Sequence, residues 1–336
     1  MALTRGPVGL LRTIGNTPLV QMTRLLPNCN ASLFAKLESF NPGGSAKDRS
    51  ADTMITDALS DGRIKPTSTL VESSSGNYAV AFAREALLHG LKAICVVDPR
   101  TNPSTIAMIK ALGAQIDAID EPDPETGDWL VARLNRVREH VDAGAVWLDQ
   151  YSNRSAVHAH SQGTMREIAE ALGGKVDWAF VATSTTGTIA GCHDYITRND
   201  MPTKLVAVDA EGSVLFGGQR GARLLSGYGA GIVPALSEGV TPHEVCRIAD
   251  VDAVIGTRAL ARREGILAGA SAGAVVAAAA KLADQFDDDD CIALIFHDGG
   301  LAYADSVFND DWVAETFGLD AATLEQRVAD FARGGA

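Results

Sequence analysis

Residues 69–97 read TLVESSSGNYAVAFAREALLHGLKAICVV, and this stretch decides the fold. The apolar run at 69–72 has strand character. Ser73, Ser74, Ser75 and Gly76 follow as a turn. The spacing over 78–89 is that of a helix, stopped by Gly90. Residues 92–97 are again β-branched and apolar, as a strand buried on both faces requires. A strand, a helix and a second strand in about 30 residues make a βαβ unit, whose strands run parallel.

Working outward, the same alternation fills the chain. Towards the C-terminus the pattern predicts helices at 104–112, 129–141, 161–172, 188–197 and 272–286. Between them it predicts strands at 115–119, 145–148, 178–183, 205–209 and 291–297. Towards the N-terminus, Pro42-Gly43-Gly44 is a turn, and the spacing of Met54, Ile55, Ala58 and Leu59 announces a helix. The predicted class is α/β, with mostly parallel sheets covered by helices. Residues 122–128 read as a surface insertion and 287–290 as a solvated acidic loop. Residues 321–333 read as an exposed amphipathic helix without chemistry.

Composition narrows the function. Hydrophobic residues make up 46% and charged residues 21% of 336, enough for a large core. The formal net charge is −13, which disfavours nucleic-acid and anionic-membrane partners. The five cysteines, Cys29, Cys95, Cys192, Cys246 and Cys291, are far apart and form no metal or disulfide motif. No apolar run is long enough to cross a membrane, and the N-terminus lacks a signal-peptide pattern. These features predict a soluble cytoplasmic enzyme acting on small molecules, with no metal site.

Four segments put glycine and small hydroxyl residues where a helix should begin, which is where anions bind. The first, residues 41–49, sets Lys47 in an opening turn, where the helix dipole favours a neutral, nucleophilic amine able to form an imine. The second, residues 72–77, offers Ser74, Ser75 and the Asn77 amide at the carboxyl end of a strand. The third, residues 183–191, gathers Ser184, Thr185, Thr186, Gly187 and Thr188 into a cup for a phosphate monoester. It matches neither a P-loop nor a dinucleotide-binding glycine fingerprint. The fourth, residues 269–274, sets Ser271 at a helix start, as an N-cap or as a partner for a ring nitrogen. Each segment taken alone also reads as an ordinary capped turn. Together they complement pyridoxal phosphate.

In these segments the chain resembles the cysteine synthase branch of the fold-type II pyridoxal-phosphate enzymes. The likeness also takes in Ile14-Gly15-Asn16-Thr17-Pro18-Leu19, Gln150-Tyr151-Ser152-Asn153 and Gly227-Tyr228-Gly229-Ala230-Gly231, in order along nearly the whole chain. It implies two three-layer α/β domains of the tryptophan synthase β type. The large cofactor-binding domain would be residues 1–40 and 151–336, and the small mobile domain 41–150. It implies that Lys47 carries the cofactor and moves the Cα proton. Asn77 would meet the ring hydroxyl, Ser184 to Thr188 the phosphate, and Ser271 the ring nitrogen. Ser74, Ser75, Asn77 and Gln150 would hold the substrate carboxylate. A homodimer is implied as well.

Within that family, the Ser-Ser-Ser-Gly-Asn loop, the Ser-Thr-Thr-Gly-Thr cup and Asp305 with Asn309-Asp310-Asp311-Trp312 resemble a particular group. Those are the synthases of 2,3-diaminopropionate biosynthesis that join O-phospho-L-serine to L-glutamate. Leu301 and Ala302 stand where a Glu-Arg pair is usual. A phosphorylated donor calls for cations, for which Arg133, Arg220 and Arg223 are the candidates. Tyr151 is the candidate to take the proton of the incoming amine. The alternative is a cysteine synthase using O-acetylserine or O-phosphoserine.

Overall fold

The computed structural model describes residues 9–331. The extreme N-terminus, part of the reading on targeting segments, and Arg333, the end of the last expected helix, lie outside them.

The strands are β1 (Leu19–Met22), β2 (Ser32–Leu37), β3 (Thr69–Ser73), β4 (Lys92–Val97), β5 (Gln115–Ala118), β6 (Val146–Trp147), β7 (Trp178–Ala182), β8 (Lys204–Ala210), β9 (Glu244–Ile248) and β10 (Cys291–Phe296). They form two sheets, a six-stranded one in the order β1-β2-β10-β7-β8-β9 and a four-stranded one in the order β5-β4-β3-β6. Every pairing is parallel except β1 with β2. Strand β7 is buried along its whole length and β10 from Ile292 onwards, so the large sheet is covered on both faces.

The helices are α1 (Lys47–Ser60), α2 (Asn77–Leu88), α3 (Pro103–Ala111), α4 (Trp129–Asp142), α5 (Ser155–Ala159), α6 (Arg166–Ala171), α7 (Gly187–Arg198), α8 (Asp250–Glu264), α9 (Ala270–Lys281), α10 (Asp310–Phe317) and α11 (Ala321–Phe331). Asn102 and Asp128 cap α3 and α4, accepting from the backbone N–H of Ser104 and Leu130.

Several expectations change. The single helix expected over 161–172 is α5, a π-turn at His160–Met165, and α6. The wider turn lies where α7 presses in: a Cβ on Gly191 would come within 2.5 Å of the His160 Cβ. The helix expected to start at 272 starts at Ala270 and ends at Lys281. Its N-cap is Gly269, so Ser271 is not a cap. The acidic loop at 287–290 is only partly solvated, because Asp290 is buried and accepts from Trp178 Nε1 at 2.9 Å. Helix α11 is not simply exposed, since Leu324 and Val328 join the core of the larger sheet. Strands β1, β2 and β9 and helix α8 were not foreseen, although α8 has acidic residues in its first turn and Gly265 at its end.

Candidate active site

Lys47 is the first residue of α1. The chain before it is stitched to the end of β10: Ser45 bridges Asp298, and the Ala46 N–H donates to the His297 carbonyl at 2.8 Å. This brings Lys47 to the carboxyl edge of the parallel sheet, where ligands of open α/β sheets bind. Its Nζ donates to Thr185 Oγ1 at 3.2 Å. Burial lowers its pKa to about 8, against the opposing charge of Asp298. Only the neutral amine attacks an aldehyde. In cofactor-free protein, capture of pyridoxal phosphate should therefore accelerate with pH and level off above about 8. A stopped-flow pH profile with a midpoint near that of a free lysine would remove the burial argument.

The cup at Ser184 to Thr188 follows β7 and opens α7. Thr186 has φ +63°, a left-handed conformation that turns the chain sharply into the helix. The first N–H groups of α7 have no acceptor within the helix and are available to an anion. The hydroxyls do not all converge as the sequence suggests. Thr186 Oγ1 turns back to the Thr185 carbonyl at 2.7 Å, and Thr188 Oγ1 meets His160 Nε2 at 3.3 Å. Ser184 and Thr185 remain half-buried, and Thr185 Oγ1 faces Lys47.

His160, which sequence reasoning missed, sits behind the cup. Its Nε2 also meets Ser50 Oγ at 3.1 Å, and its Nδ1 meets Thr164 Oγ1 at 2.9 Å. Burial, with the nearby charges of Arg49 and Lys47, holds it neutral, well below the usual imidazole range. It joins α1 to the first turn of α7. A buried histidine inside an apolar helix gives no sequence signal beyond its own presence.

Asn77 opens α2, and its Nδ2 donates to Asp298 Oδ2 at 2.8 Å. The same oxygen accepts from Tyr303 Oη at 2.7 Å, while Asp298 Oδ1 is buried without a partner. Asp298 and Tyr303 were not read as site residues. The position of Asp298 just beyond β10 was the available signal. Leu301 and Ala302, which replace the Glu-Arg pair, are exposed on a short turn and leave this cluster untouched.

Ser271 is buried, and its Oγ has no partner. A Cβ on Gly227, which has φ +96°, would come within 3.5 Å of that oxygen. Ser74 is buried and Ser75 half-buried. Gln150 is buried, and its Nε2 donates to the Ser73 carbonyl at 3.0 Å, tying it to the serine loop. Beneath that loop, burial lifts Glu72 to about 8, although Trp147 Nε1 donates to it at 3.0 Å.

Tyr151 is half-buried, and burial pushes its phenol up to about 12, with the Arg133 charge opposing. A phenol held neutral at pH 7 donates a hydrogen bond. In that state it is better suited to donate than to take the proton of an incoming amine. Arg133 is buried on α4, with Nε 3.3 Å from Asp98 Oδ2 and Nη1 without a partner. Arg220 is exposed and already engaged, with Nη1 3.3 Å from Asp128 Oδ2 and Nη2 donating to the Gly231 carbonyl. Arg223 is half-buried, with Nε unpartnered.

The residues fit pyridoxal phosphate. A desolvated lysine touches a hydroxyl- and N–H-rich turn, and an orphaned buried hydroxyl waits on a neighbouring helix. The chain belongs to the pyridoxal-phosphate dependent enzymes, whose family pattern matches residues 10–298. It is 41% identical over 303 residues to N-(2-amino-2-carboxyethyl)-L-glutamate synthase of Ralstonia nicotianae, covering 90% of this chain and 89% of that one. The O-acetylserine-dependent cystathionine β-synthase of Helicobacter pylori superposes with a TM-score of 0.82 at 29% identity, over 91% of this chain and 98% of that chain. A cysteine synthase of Entamoeba histolytica superposes with a TM-score of 0.85 at 25% identity, over 99% and 98%. The fold is thus of the cysteine synthase type, and the protein is a pyridoxal-phosphate-dependent enzyme. Among the described residues, no helix is long and apolar enough to cross a membrane.

Proposed function

We propose that the enzyme carries out β-replacement on O-phospho-L-serine with the amine of L-glutamate, giving N-(2-amino-2-carboxyethyl)-L-glutamate and phosphate. The relative at 41% identity supports the reaction. The observation that carries the donor is Arg133, a buried guanidinium with an unpartnered N–H, whose charge reaches the Tyr151 phenol. A buried cation with spare donors matches a phosphoryl group far better than an acetyl group.

When bound, pyridoxal phosphate supplies the electron-withdrawing system that acidifies the substrate Cα. Ser184, Thr185, Thr186, Gly187 and Thr188 would hold its phosphate through helix-start N–H groups and the Ser184 and Thr185 hydroxyls. Ser271 offers the ring nitrogen a neutral hydroxyl, and Asn77 uses its remaining N–H on the ring oxygen. Ser74, Ser75 and Gln150 grip the carboxylate. Lys47 removes the Cα proton and returns it after the amine has added. Tyr151 donates to the departing phosphate beside Arg133. Arg220, bound to Asp128 at the head of α4, latches the loop at 217–231 onto the smaller unit, residues 41–150, which closes to exclude water. Arg223 stands behind it. We also assign a cytoplasmic homodimer. The five free cysteines suit a reducing compartment, and exposed Leu267 and Leu301 leave apolar surface for a second copy.

The test is product mass from the purified holoenzyme given O-phosphoserine or O-acetylserine with glutamate or sulfide. Phosphoserine with glutamate should yield the adduct, whereas turnover only with sulfide would make the protein a cysteine synthase. Arg133→Ala should raise KM for phosphoserine about 10–100-fold, the value of a charge-assisted hydrogen bond, and leave any reaction with acetylserine nearly unchanged. Equal effects on both donors would take the phosphate role from Arg133.

A further inference from the structure

Away from the cleft, the packed faces of α1 and α2 bring Asp52, Glu85 and His89 together. One ligand atom from each lies within 4.8 Å of the others. His89 caps the C-terminus of α2 four residues after Glu85 and so lies on the same face. Glu85 is fully buried, and neither of its carboxylate oxygens accepts a hydrogen bond. His89 Nε2 is buried and unpartnered as well, 3.8 Å from Glu85 Oε2, beyond hydrogen-bond reach. Arg84, whose charge acts on Glu85, is paired with Asp48 at 2.7 Å. A buried carboxylate without donors is costly, and here it faces a second carboxylate. Burial and the charges of Asp52 and Asp48 raise the Glu85 pKa to about 8. Asp52 accepts from Thr56, so of the three neighbouring ligand groups it is Glu85 and His89 Nε2 that are buried without a partner.

We propose that Asp52, Glu85 and His89 form a binding site for a divalent cation of the zinc class. One imidazole nitrogen and two carboxylate oxygens are a ligand set for zinc or its first-row neighbours, whereas magnesium and calcium prefer oxygen alone. Tetrahedral zinc needs ligand atoms about 3.3 Å apart, so a small side-chain rotation closes the site. Asp52 and His89 are half-buried, which leaves the fourth position to water. The metal would clip α1 to α2, the helices whose first residues are Lys47 and Asn77. Its role is structural and independent of which amino acids the enzyme joins.

The experiment uses untagged holoenzyme, stripped with chelator and titrated with zinc chloride. Calorimetry should give one zinc per chain, and saturation should raise the melting temperature by about 5 °C. Cobalt in place of zinc should show visible d–d absorption. Glu85→Gln and His89→Ala should each weaken zinc binding more than about 100-fold. His140→Ala, at a surface histidine paired with Asp117, should not. The half-buried His89 keeps the test decisive if Glu85→Gln fails to fold. Stoichiometric binding that survives both substitutions would overturn the proposal. So would a wild type that binds no zinc and is stabilised by Glu85→Gln alone, since a proton would then fill the site.

Discussion

Alanine in place of Lys47 should lower turnover by more than about 10,000-fold, because in the proposed mechanism one amine would serve as both covalent anchor and proton carrier. The structure gives the residue what both tasks need. It stands at the positive end of α1, touches the Thr185 hydroxyl, and has its pKa lowered by burial to about 8. A single substitution removes all of this while the turn at Ser184 to Thr188 and Ser271 remain. The variant should therefore still bind pyridoxal phosphate, without a covalent link. Borohydride reduction followed by peptide mapping should find the pyridoxyl group on Lys47 in the wild type and nowhere in the variant. Residual activity above about one part in a hundred, or a label on another lysine, would sink the assignment.

The largest expected loss of stability comes two residues further along α1. Arg49 is buried between two carboxylates. Its Nε and Nη2 donate to Glu38 at 2.6 and 2.9 Å, and its Nη1 and Nη2 donate to Glu167 at 2.7 and 2.8 Å. Lys36 Nζ completes the group, 2.7 Å from Glu167. Replacing a hydrophobic core with such a network gains little, but removing one member leaves a buried charge alone. Arg49→Ala should cost about 3–5 kcal/mol and lower the melting temperature by about 10 °C. The network also seats α1, so cofactor affinity should fall with it. A loss under about 1 kcal/mol in a denaturant titration would show that water reaches Glu38 and relieves it.

The same cluster sets an acid limit. Burial alone would raise Glu167, but the hydrogen bonds and charge of Arg49, with Lys36, outweigh it and hold the carboxyl at about 2. Its folded pKa is depressed, so its contribution is complete above the ordinary glutamate value of 4.5. It then drains away as pH falls towards about 2. Melting temperatures across that window should fall more steeply in the wild type than in Arg49→Ala.

Much of the candidate site was legible because it is local. Lys47, Asn77, Gly187 and Ser271 lie in the opening turns of α1, α2, α7 and α9. Glycine and hydroxyl residues ahead of an apolar period mark such turns without any tertiary information. Asp298 and His160 were not legible, because their meaning comes from partners 221 and 28 residues away in the chain, Asn77 and Thr188. Nor could the three arginines be ranked. Arg133, Arg220 and Arg223 look alike in sequence, and only burial and the prior claim of Asp128 separate them.

The amino-acid order by itself determined the alternation of strand and helix, the mostly parallel sheets and the hydroxyl-rich turns that open the helices, since all of these follow from periodicity and backbone chemistry over a few residues. The tertiary structure alone decided which hydroxyls stay free, which guanidinium keeps a spare donor, and that Asp52 meets Glu85 and His89. Those outcomes depend on which groups burial leaves without water, and desolvation is a property of packed neighbours that no local pattern encodes.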